Sequence, residues 1–505
     1  MTTRRQALAG MAAMIALPRT AAFAAPAGAG ESFSWELLQE RALALSRRAW
    51  AAPPAPSPLL DRMGYDAAGA VEYRAAQSLW NAYGDASAVR FFPLTSTARR
   101  AVSIAVVEHG VAKPFVYRPA LYRIPKGHPM AGLGAAGGFS GFRVMNPGGI
   151  GDWLAFQGAS YFRSAGPLHQ YGLSARGLAI GTGLGGPEEF PEFTHFWLER
   201  GADGTITVFA LLDGPSVSGA FRFVNRRGGD EMTQDVNSVV HLRQSVERLG
   251  IAPLTSMFWY GEGNRAQAAD WRPEIHDSDG LAMRSGAGER LWRPLNNPPA
   301  AQFNSFADAA PRGFGLMQRD RAFDHYQDDA AFQEKRPSLW IEPQGDWGKG
   351  AVSLFEIPTT TEYADNIVAF WSPAATATSG MRLAHNYRLR WIGGEPEPLP
   401  VARVTDCRTG QGGLPGQPPR AGVTKIVADF QGGRFAALAP KTVSAQVDVQ
   451  NGILLNSGSY RIDGTADSWR LVMDIERRGA QPVDIRAFLR SGPDAVSETL
   501  VYQLI

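Results

Sequence analysis

The sequence has a single cysteine, Cys407, and eight histidines among its 505 residues. One cysteine cannot form a disulfide within the chain, so the fold must be held together by its core. No two histidines have the spacing of a metal-binding pair on a helix, and no Cys/His cluster marks a structural metal. We therefore expect no metal and no cofactor.

Strong charge of one sign is also absent. The chain carries 50 basic and 48 acidic residues, a net charge of +2. A nearly neutral surface gives no reason to expect nucleic acid or an anionic membrane as a partner. Beyond residue 24 no apolar run approaches the ~20 residues that a membrane-spanning helix needs, so we expect no stable membrane anchor.

The first 24 residues have the order of an export signal. A twin-arginine start, Arg4-Arg5, precedes an apolar run over 7–17 and the small-residue site Ala22-Phe23-Ala24. This order predicts a twin-arginine signal peptide over 1–24 and a periplasmic mature protein. Removing the signal leaves 47 of the 50 basic residues against 48 acidic ones.

Length and composition predict an all-β protein with more than one domain. A chain of 505 residues exceeds one ordinary core, and its 56 glycines and 35 prolines favour turns between strands. A Gly/Pro/Glu-rich segment interrupts the strand pattern, and about a hundred residues of short alternating segments follow it. We predict a large domain over 25–392, a linker over 393–402 and a smaller sandwich over 403–505.

Two segments have helical spacing. The first covers 34–50, where Ser34 can cap a helix that the following prolines end. The second covers 235–249, where apolar side chains recur three and four residues apart. Between 256 and 347 the pattern predicts mostly loop, rich in Trp, Arg and Asp, and long loops inside compact domains are usually functional.

Two short acidic stretches stand out. The segment 271–281 contains Glu274, His276, Asp277 and Asp279, and the segment 359–371 contains Glu362 and Asp365. Paired carboxylates near aromatic and basic side chains are the equipment for acid/base chemistry on sugars. The pattern alone favours the simpler interpretation that these are turn aspartates that cap strand ends.

Two other segments match known binding motifs as strings but lack the surrounding sequence that those motifs require. Gly132 to Gly137 matches the dinucleotide-binding string, but no strand precedes it and no helix follows. The run Asp277-Ser-Asp279-Gly280 resembles a calcium loop, yet the required ligands at its first and twelfth positions are Ile275 and Gly286. Neither a nucleotide site nor a calcium loop is predicted.

A set of short motifs spread over nearly the whole mature chain points to one family. They are Ser160-Tyr-Phe-Arg163, Tyr171-Gly-Leu-Ser-Ala-Arg-Gly-Leu-Ala-Ile180, Gly250-Ile-Ala-Pro-Leu-Thr-Ser-Met-Phe258, Asp270-Trp-Arg-Pro-Glu274, His276-Asp-Ser-Asp-Gly-Leu281, Trp292-Arg-Pro-Leu-Asn-Asn-Pro298, Gly313-Phe-Gly-Leu316, Arg336-Pro-Ser338 and Asp365-Asn-Ile-Val-Ala-Phe-Trp371. The chain resembles the periplasmic glucans biosynthesis proteins of the OpgG/MdoG and OpgD type. The resemblance implies a galactose-mutarotase-like β-sandwich followed by an immunoglobulin-like β-sandwich.

The resemblance also implies a function. It indicates work on osmoregulated periplasmic glucans, with β-1,2-glucan as the partner, and an inverting endo-β-1,2-glucanase or a cyclising transglycosylase. It places the general acid at Asp365 and the general base at Asp277, and it implies a homodimer. The expected substrate-binding side chains are Glu362, Arg336, Trp271, Arg272, His276, Trp347 and Gln333.

The chain departs from the family pattern at four positions. Gly181, Arg290 and Ala364 replace Asp, Trp and Asn, and Gln333 replaces a tyrosine that members often have three residues before Arg336. The change at Gln333 leaves hydrolysis and transfer to a sugar hydroxyl both open. A non-catalytic glucan-binding scaffold is the alternative from another class.

Overall fold

The computed structural model describes residues 30–84, 87–398, 400–413 and 416–505. The predicted signal peptide lies outside the described residues. The described chain is built almost wholly from antiparallel strands, which confirms the predicted all-β class.

Strands carry the architecture. In chain order they are β1 Glu31–Ser32, β2 Glu72–Tyr73, β3 Val89–Pro93, β4 Ser103–Glu108, β5 Val111–Pro114, β6 Tyr122–Arg123, β7 Phe139–Met145, β8 Asp152–Gln157, β9 Tyr161–Ser164, β10 Ser174–Arg176, β11 Leu178–Ile180, β12 Glu192–Arg200, β13 Ile206–Asp213, β14 Val217–Arg227, β15 Glu231–Leu242, β16 Leu249–Ser256 and β17 Phe258–Tyr260. The second half continues with β18 Ile275–His276, β19 Gly280–Arg284, β20 Arg290–Pro294, β21 Gln302–Ala309, β22 Gly313–Met317, β23 Ser338–Gln344, β24 Lys349–Glu356, β25 Ile367–Pro373, β26 Arg382–Ile392, β27 Arg403–Gln411, β28 Val423–Gln431, β29 Val443–Gln450, β30 Gly452–Arg461, β31 Ser468–Arg477, β32 Val483–Ser491, β33 Asp494–Ala495 and β34 Thr499–Leu504.

Helices are short and peripheral. The α-helices are α1 Trp35–Ser46, α2 Tyr65–Gly69 and α3 Phe323–Tyr326. The 3-10 helices are Pro58–Arg62, Ala75–Gln77, Asn81–Tyr83, Pro119–Leu121, Pro129–Ala136, Pro147–Gly149, Glu262–Gln267, Gln333–Lys335, Phe435–Ala437 and Pro440–Thr442. Helix α1 confirms the predicted N-terminal helix, and the Ser34 hydroxyl caps it by accepting from the Leu37 N–H. In the part of the chain that the structure describes, no helix is long and apolar enough to cross a membrane.

Two large sheets pack face to face around the main core. The larger sheet has the order β1-β5-β4-β12-β13-β14-β15-β26-β23-β22-β19-β20-β34-β32-β29, and the smaller one has the order β21-β24-β25-β16-β10-β9-β8-β7-β3. Phenylalanines from both sheets interlock, with ring centroids 5.2 Å apart for Phe156 and Phe223 and 5.3 Å apart for Phe142 and Phe196. This packing is that of a β-sandwich.

A second core lies towards the C-terminus. The sheet β27-β28-β31-β30 packs through Ile426 and Leu471 against Ile485 of β32. The same cluster includes Trp292 and Trp340 from the earlier part of the chain. Strand β34 pairs in parallel with β20, so the larger sheet continues from the first core into the second. The predicted domain bounds stay a prediction.

Two local predictions were wrong. The segment predicted as a helix over 235–249 lies largely in β15, whose side chains alternate between buried and half-buried. Its β-branched residues suit a strand, and pairing with β14 and β26 on both sides decided its conformation. The region 256–347, predicted as mostly loop, contains strands β17 to β23.

Candidate active site

The two acidic stretches meet at one dipeptide, Met257-Phe258. The Asp277 N–H donates to the Met257 carbonyl at 2.8 Å, because β17 pairs with β18 and Asp277 directly follows β18. On the other side, the Phe258 N–H donates to the Asn366 side-chain oxygen at 2.8 Å. Asp277 and Asp365 are therefore held on either side of the same two residues, although 271–281 and 359–371 are far apart in sequence.

Asn366 anchors the segment that carries Asp365. Its buried side-chain amide also donates to the Phe258 carbonyl and to the Ile357 carbonyl, each at 2.9 Å. The other end of this segment is held by Asn297, whose amide exchanges hydrogen bonds with the Thr359 backbone at 2.8 and 2.9 Å. The Asp365 side chain projects from this anchored segment and is exposed.

We expect Asn366→Ala to lower both stability and any turnover that depends on Asp365. Alanine leaves one N–H and two carbonyls without their partner, and losing such buried contacts costs about 1–3 kcal/mol each. A thermal melt and an initial rate on glucan measure the two effects. Thr360→Ala in the same segment is the matched control, because Thr360 is exposed. Equal effects of the two variants would contradict the anchoring role.

Arg336 connects the two stretches electrostatically. Its guanidinium forms an ion pair with the Asp277 carboxylate. Burial lowers the pKa of Arg336 to about 10, while the nearby charges of Glu362 and Asp365 act in the opposite direction. The Arg336 guanidinium thus pairs with Asp277 and is influenced by the charge of Asp365.

Gln318 ties the Asp277 strand to the Arg336 segment. Its side-chain oxygen lies 3.1 Å from His276 Nδ1, and its nitrogen donates to the Gln333 carbonyl at 3.0 Å. The Arg336 N–H donates to that same carbonyl at 3.1 Å. This buried network fixes Arg336 relative to β18 and hence to Asp277.

Arg272 gathers three carboxylates beside this centre. It binds Glu362 through both terminal nitrogens, at 3.0 and 3.1 Å, and reaches Asp328 at 2.8 Å and Asp270 at 2.6 Å. These contacts, Asp270 first, raise the pKa of Arg272. Burial opposes ionisation of Asp328, but the Ala331 N–H and the guanidinium lower the pKa of Asp328 on balance. Arg272 therefore fixes Glu362 rather than standing free for a ligand.

A buried group of titratable side chains lies beneath the site. Burial raises the pKa of Glu262 to about 8, reinforced by the charges of Glu274 and Asp279. Burial also raises the pKa of Asp279 to about 6. For His276, burial acts to lower the pKa, but the hydrogen bond to Glu274 and the charge of Asp279 raise it to about 9.

These shifts predict that stability falls as the pH rises. In the folded state Glu262, Asp279 and His276 keep protons that the unfolded chain has already lost, so raising the pH favours unfolding. The loss from Glu262 accumulates between pH 4.5 and about 8, and that from His276 between pH 6.5 and about 9. Melting temperatures should decline from pH 5 to 9, and less steeply in Glu262→Gln. A melting temperature that rises over this range would contradict the prediction.

The predicted substrate-binding residues lie in different environments, some exposed and some buried. Trp271 is 70% exposed and offers its ring to a ligand. His276 is buried under the site, between Phe258 and Tyr326, where it orients its neighbours. Trp347 is not near the others: its ring packs against Trp371 and Tyr387 in the main core. A ring buried on both faces cannot stack on a sugar, so we leave Trp347 out of the proposed site.

Gln333 occupies an unusual environment. Its side chain is fully buried, and neither its amide oxygen nor its amide nitrogen has a hydrogen-bond partner among the described residues. It lies three residues before Arg336 on the 3-10 helix Gln333–Lys335. Of the other departures, Arg290 pairs with Glu397 at 3.1 Å, and Gly181 has a φ of +74° that favours glycine.

One trio of potential metal ligands occurs within the described ranges. Donor atoms of Glu274, Asp320 and His325 lie within 4.8 Å of one another. His325 and Asp320 already form an ion pair, and Glu274 bonds His276 at 3.1 Å. Since each of these groups has a protein partner, the trio gives no independent indication of a metal.

Three residues of the site were not predicted from sequence. Gln318 and Asp328 hold Arg336 and Arg272 in place. Tyr161 lies close enough to Asp365 for that carboxylate to contribute to raising the pKa of Tyr161, although burial is the main cause. Gln318 could have been noticed as a polar residue directly after the apolar run of β22.

The described chain is an all-β protein whose two large sheets pack as a sandwich, with carboxylates and arginines gathered near Met257-Phe258. The family model described as "Periplasmic glucan biosynthesis protein, MdoG" matches residues 33–504. The chain belongs to this family, and membership implies a periplasmic location.

Named relatives agree with the family. Glucans biosynthesis protein D 2 of Ralstonia nicotianae is 41% identical over 100% of this chain and 98% of its own length. Glucans biosynthesis protein D of Xanthomonas campestris pv. campestris is 44% identical over 93% of this chain and 90% of its own. A solved polysaccharide lyase aligns with 73% of this chain and 44% of its own at 10% identity and TM-score 0.25, which is too weak to support any inference.

Proposed function

We propose that the protein is a periplasmic enzyme of glucan biosynthesis that acts on β-1,2-glucan by inversion, with Asp365 as general acid and Asp277 as general base. The single observation that carries the proposal is that the Asp277 backbone and Asn366, the neighbour of Asp365, both hydrogen-bond to Met257-Phe258, while Arg336 pairs with Asp277 and is influenced by the charge of Asp365. The twin-arginine start supports export of the folded chain.

The chemistry follows from the two environments. Asp365 gives its proton to the leaving glycosidic oxygen. Asp277 takes a proton from the nucleophile that attacks the anomeric carbon from the opposite face, and inversion needs a gap of about 6.5–9.5 Å between the carboxyls. A guanidinium beside a carboxylate stabilises its ionised form, so the ion pair with Arg336 suits Asp277 to the role of base.

Asp365 is suited to the complementary role once substrate is bound. Its side chain is exposed, so a bound sugar chain would cover it. Covering a carboxyl disfavours its charged form and favours the form that holds a proton. The exposed Trp271 provides a flat apolar face for a sugar ring, and Glu362, fixed by Arg272, provides hydrogen-bond acceptors.

The nucleophile decides between two activities. Water gives hydrolysis, whereas a hydroxyl of the same glucan gives a cyclic product. Gln333 brings an amide, not a phenol, to the position three residues before Arg336, and an amide is a poorer relay for a proton between water and Asp277. This supports transfer to a sugar hydroxyl, while the carboxylate pair serves both reactions.

Incubating the purified protein with linear β-1,2-glucan tests the proposal. New reducing ends identify a hydrolase, and cyclic products without new reducing ends identify a transglycosylase. Linear β-1,3-glucan of similar length is the control and should remain unchanged. Glucan that binds but keeps its length would contradict both activities and support the non-catalytic scaffold.

A further inference from the structure

Three arginines form a row across the outer face of the smaller sheet. Arg90 of β3 lies directly opposite Arg143 of β7, and Arg143 lies opposite Ala155 of β8. Ala155 in turn lies opposite Arg163 of β9. Side chains paired across strands point to the same face, and the residues on either side of each arginine are buried in the core. We call Arg90, Arg143 and Arg163 the arginine row.

The row is electrostatically unfavourable within the protein. Like charges directly opposite each other destabilise a sheet, and the charge of Arg143 lowers the pKa of Arg90 after the larger effect of burial. In the part of the chain that the structure describes, Arg143 and Arg163 form no hydrogen bond and no ion pair. Arg143 lies over the Phe92 ring, 5.4 Å from its centroid.

Two carboxylates, Glu72 and Asp152, act on Arg90, and Glu72 is already paired with Arg123 at 2.7 Å. Asp152 interacts with Arg143 and more weakly with Arg90, yet burial raises the pKa of Asp152 despite them. The Tyr171 hydroxyl lies near the same carboxyl, and the charge of Asp152 adds to the effect of burial in raising the pKa of Tyr171. The three guanidinium groups therefore outnumber the two carboxylates that act on them, which leaves a local excess of positive charge.

A cavity lies against the row. It has a volume of about 470 Å³, and its lining includes Arg143, Phe92, Gln157 and the ring of Tyr65. Tyr65 is 95% exposed. Aromatic rings, an amide and a guanidinium around such a volume form a setting that can accept a sugar with an attached polar group.

The row adjoins the proposed catalytic centre. Tyr171, which lies near Asp152, is followed by Gly172, and a Cβ on Gly172 would lie 2.9 Å from Arg336 Cβ. Arg336 forms the ion pair with Asp277. A polymer that occupies the centre can therefore continue over Tyr171 onto the arginine row.

We propose that the arginine row is an anion subsite that binds a phosphate- or carboxylate-bearing group carried on the saccharide chain. The proposal rests on the proposed function in so far as the polymer is a glucan. Guanidinium groups match the geometry and charge of phosphate and carboxylate oxygens. The bound anion relieves the repulsion between Arg90 and Arg143. The site thereby selects substituted chains over neutral ones.

Calorimetric titration of the full-length protein tests this subsite without depending on catalysis. Asp365→Asn is used to prevent turnover, and the two probes are linear β-1,2-glucan and the same glucan after chemical phosphorylation. We expect tighter binding of the phosphorylated chain. Arg143→Gln and Arg163→Gln should each weaken that binding by about tenfold and leave the neutral glucan unaffected. Arg227→Gln, at an exposed site on β14, should change neither.

Further measurements distinguish a free anion from an anion carried on the sugar chain, and they define the results that would contradict the proposal. Inorganic phosphate alone should compete with the phosphorylated chain only at far higher concentration, since it lacks the sugar contacts. The proposal would be overturned if the protein bound both glucans with equal affinity. It would also be overturned if Arg143→Gln lowered the affinity for both glucans equally. If the phosphorylated chain binds more tightly but the wild-type protein does not cleave neutral glucan, the result supports the anion subsite and contradicts the proposed enzymatic activity. Arg143→Gln should also melt no lower than the parent, which excludes a folding defect as the cause.

Discussion

Asp365→Asn is expected to abolish turnover of linear β-1,2-glucan and to leave glucan binding nearly intact. Asparagine has almost the same shape but cannot give a proton to the leaving oxygen. Loss of a positioned general acid costs about 10²–10⁴ in rate. Because Asp365 is exposed and forms no hydrogen bond or ion pair among the described residues, the substitution should not destabilise the fold. Reducing-end release, product analysis and calorimetry give the three readouts.

The matched control for this prediction is Asp329→Asn, which removes another exposed carboxylate from the same side of the molecule. It should retain the parental rate. Asp277→Asn provides the second half of the pair and should also be inactive, with a further loss of stability because Arg336 loses its ion-pair partner. Residual turnover in Asp365→Asn above a hundredth of the parental rate would contradict the assignment of the acid.

Arg319→Gln is expected to be the most destabilising single change outside the site. Arg319 is buried and binds the Glu498 carboxylate at 2.6 Å and that of Glu395 at 2.9 Å. It also donates to the Val404 carbonyl at 3.1 Å and stacks on Trp292 at 3.7 Å. Removing one partner of a buried ion pair costs about 3–5 kcal/mol, since the remaining charge is left without compensation.

Urea denaturation followed by tryptophan fluorescence measures this loss. Arg123→Gln is the control, because Arg123 and Glu72 form a pair at 2.7 Å in which both side chains are more than half exposed. Such a surface pair contributes less than about 1 kcal/mol. A similar midpoint for both variants would show that Arg319 does not hold the two cores together.

Much of the fold could be predicted from the sequence because its signals are local. Alternation of apolar residues and the abundance of turn residues gave the all-β class, and Ser34 gave the start of α1. The segment 235–249 was assigned wrongly because apolar residues three and four apart in a β-branched strand imitate a helix. Only pairing with β14 and β26, which local pattern does not contain, decides between the two.

The site was predictable only in part, for a similar reason. The acidic stretches were visible in the sequence, and the family resemblance picked Asp277 and Asp365 from them. That Asp277 and Asn366 both bond to Met257-Phe258 depends on contacts over long sequence distances. Trp347 was expected among the substrate-binding side chains, yet it lies between β23 and β24 and its ring packs in the main core. The network through Gln318 joins residues that no short motif connects.

The parallel pairing of β34 with β20 has a consequence for how the chain reaches its final form. Leu291 and Trp292 of β20 align with Thr499 and Leu500 of β34, so this edge of the larger sheet stays open until residues 499–504 have been synthesised. The larger sheet therefore cannot be completed while the ribosome is still making the second core. During synthesis, the open edge of β20 is the natural place for chaperone binding or mispairing. Loss of the last strand would leave that edge permanently exposed to other chains.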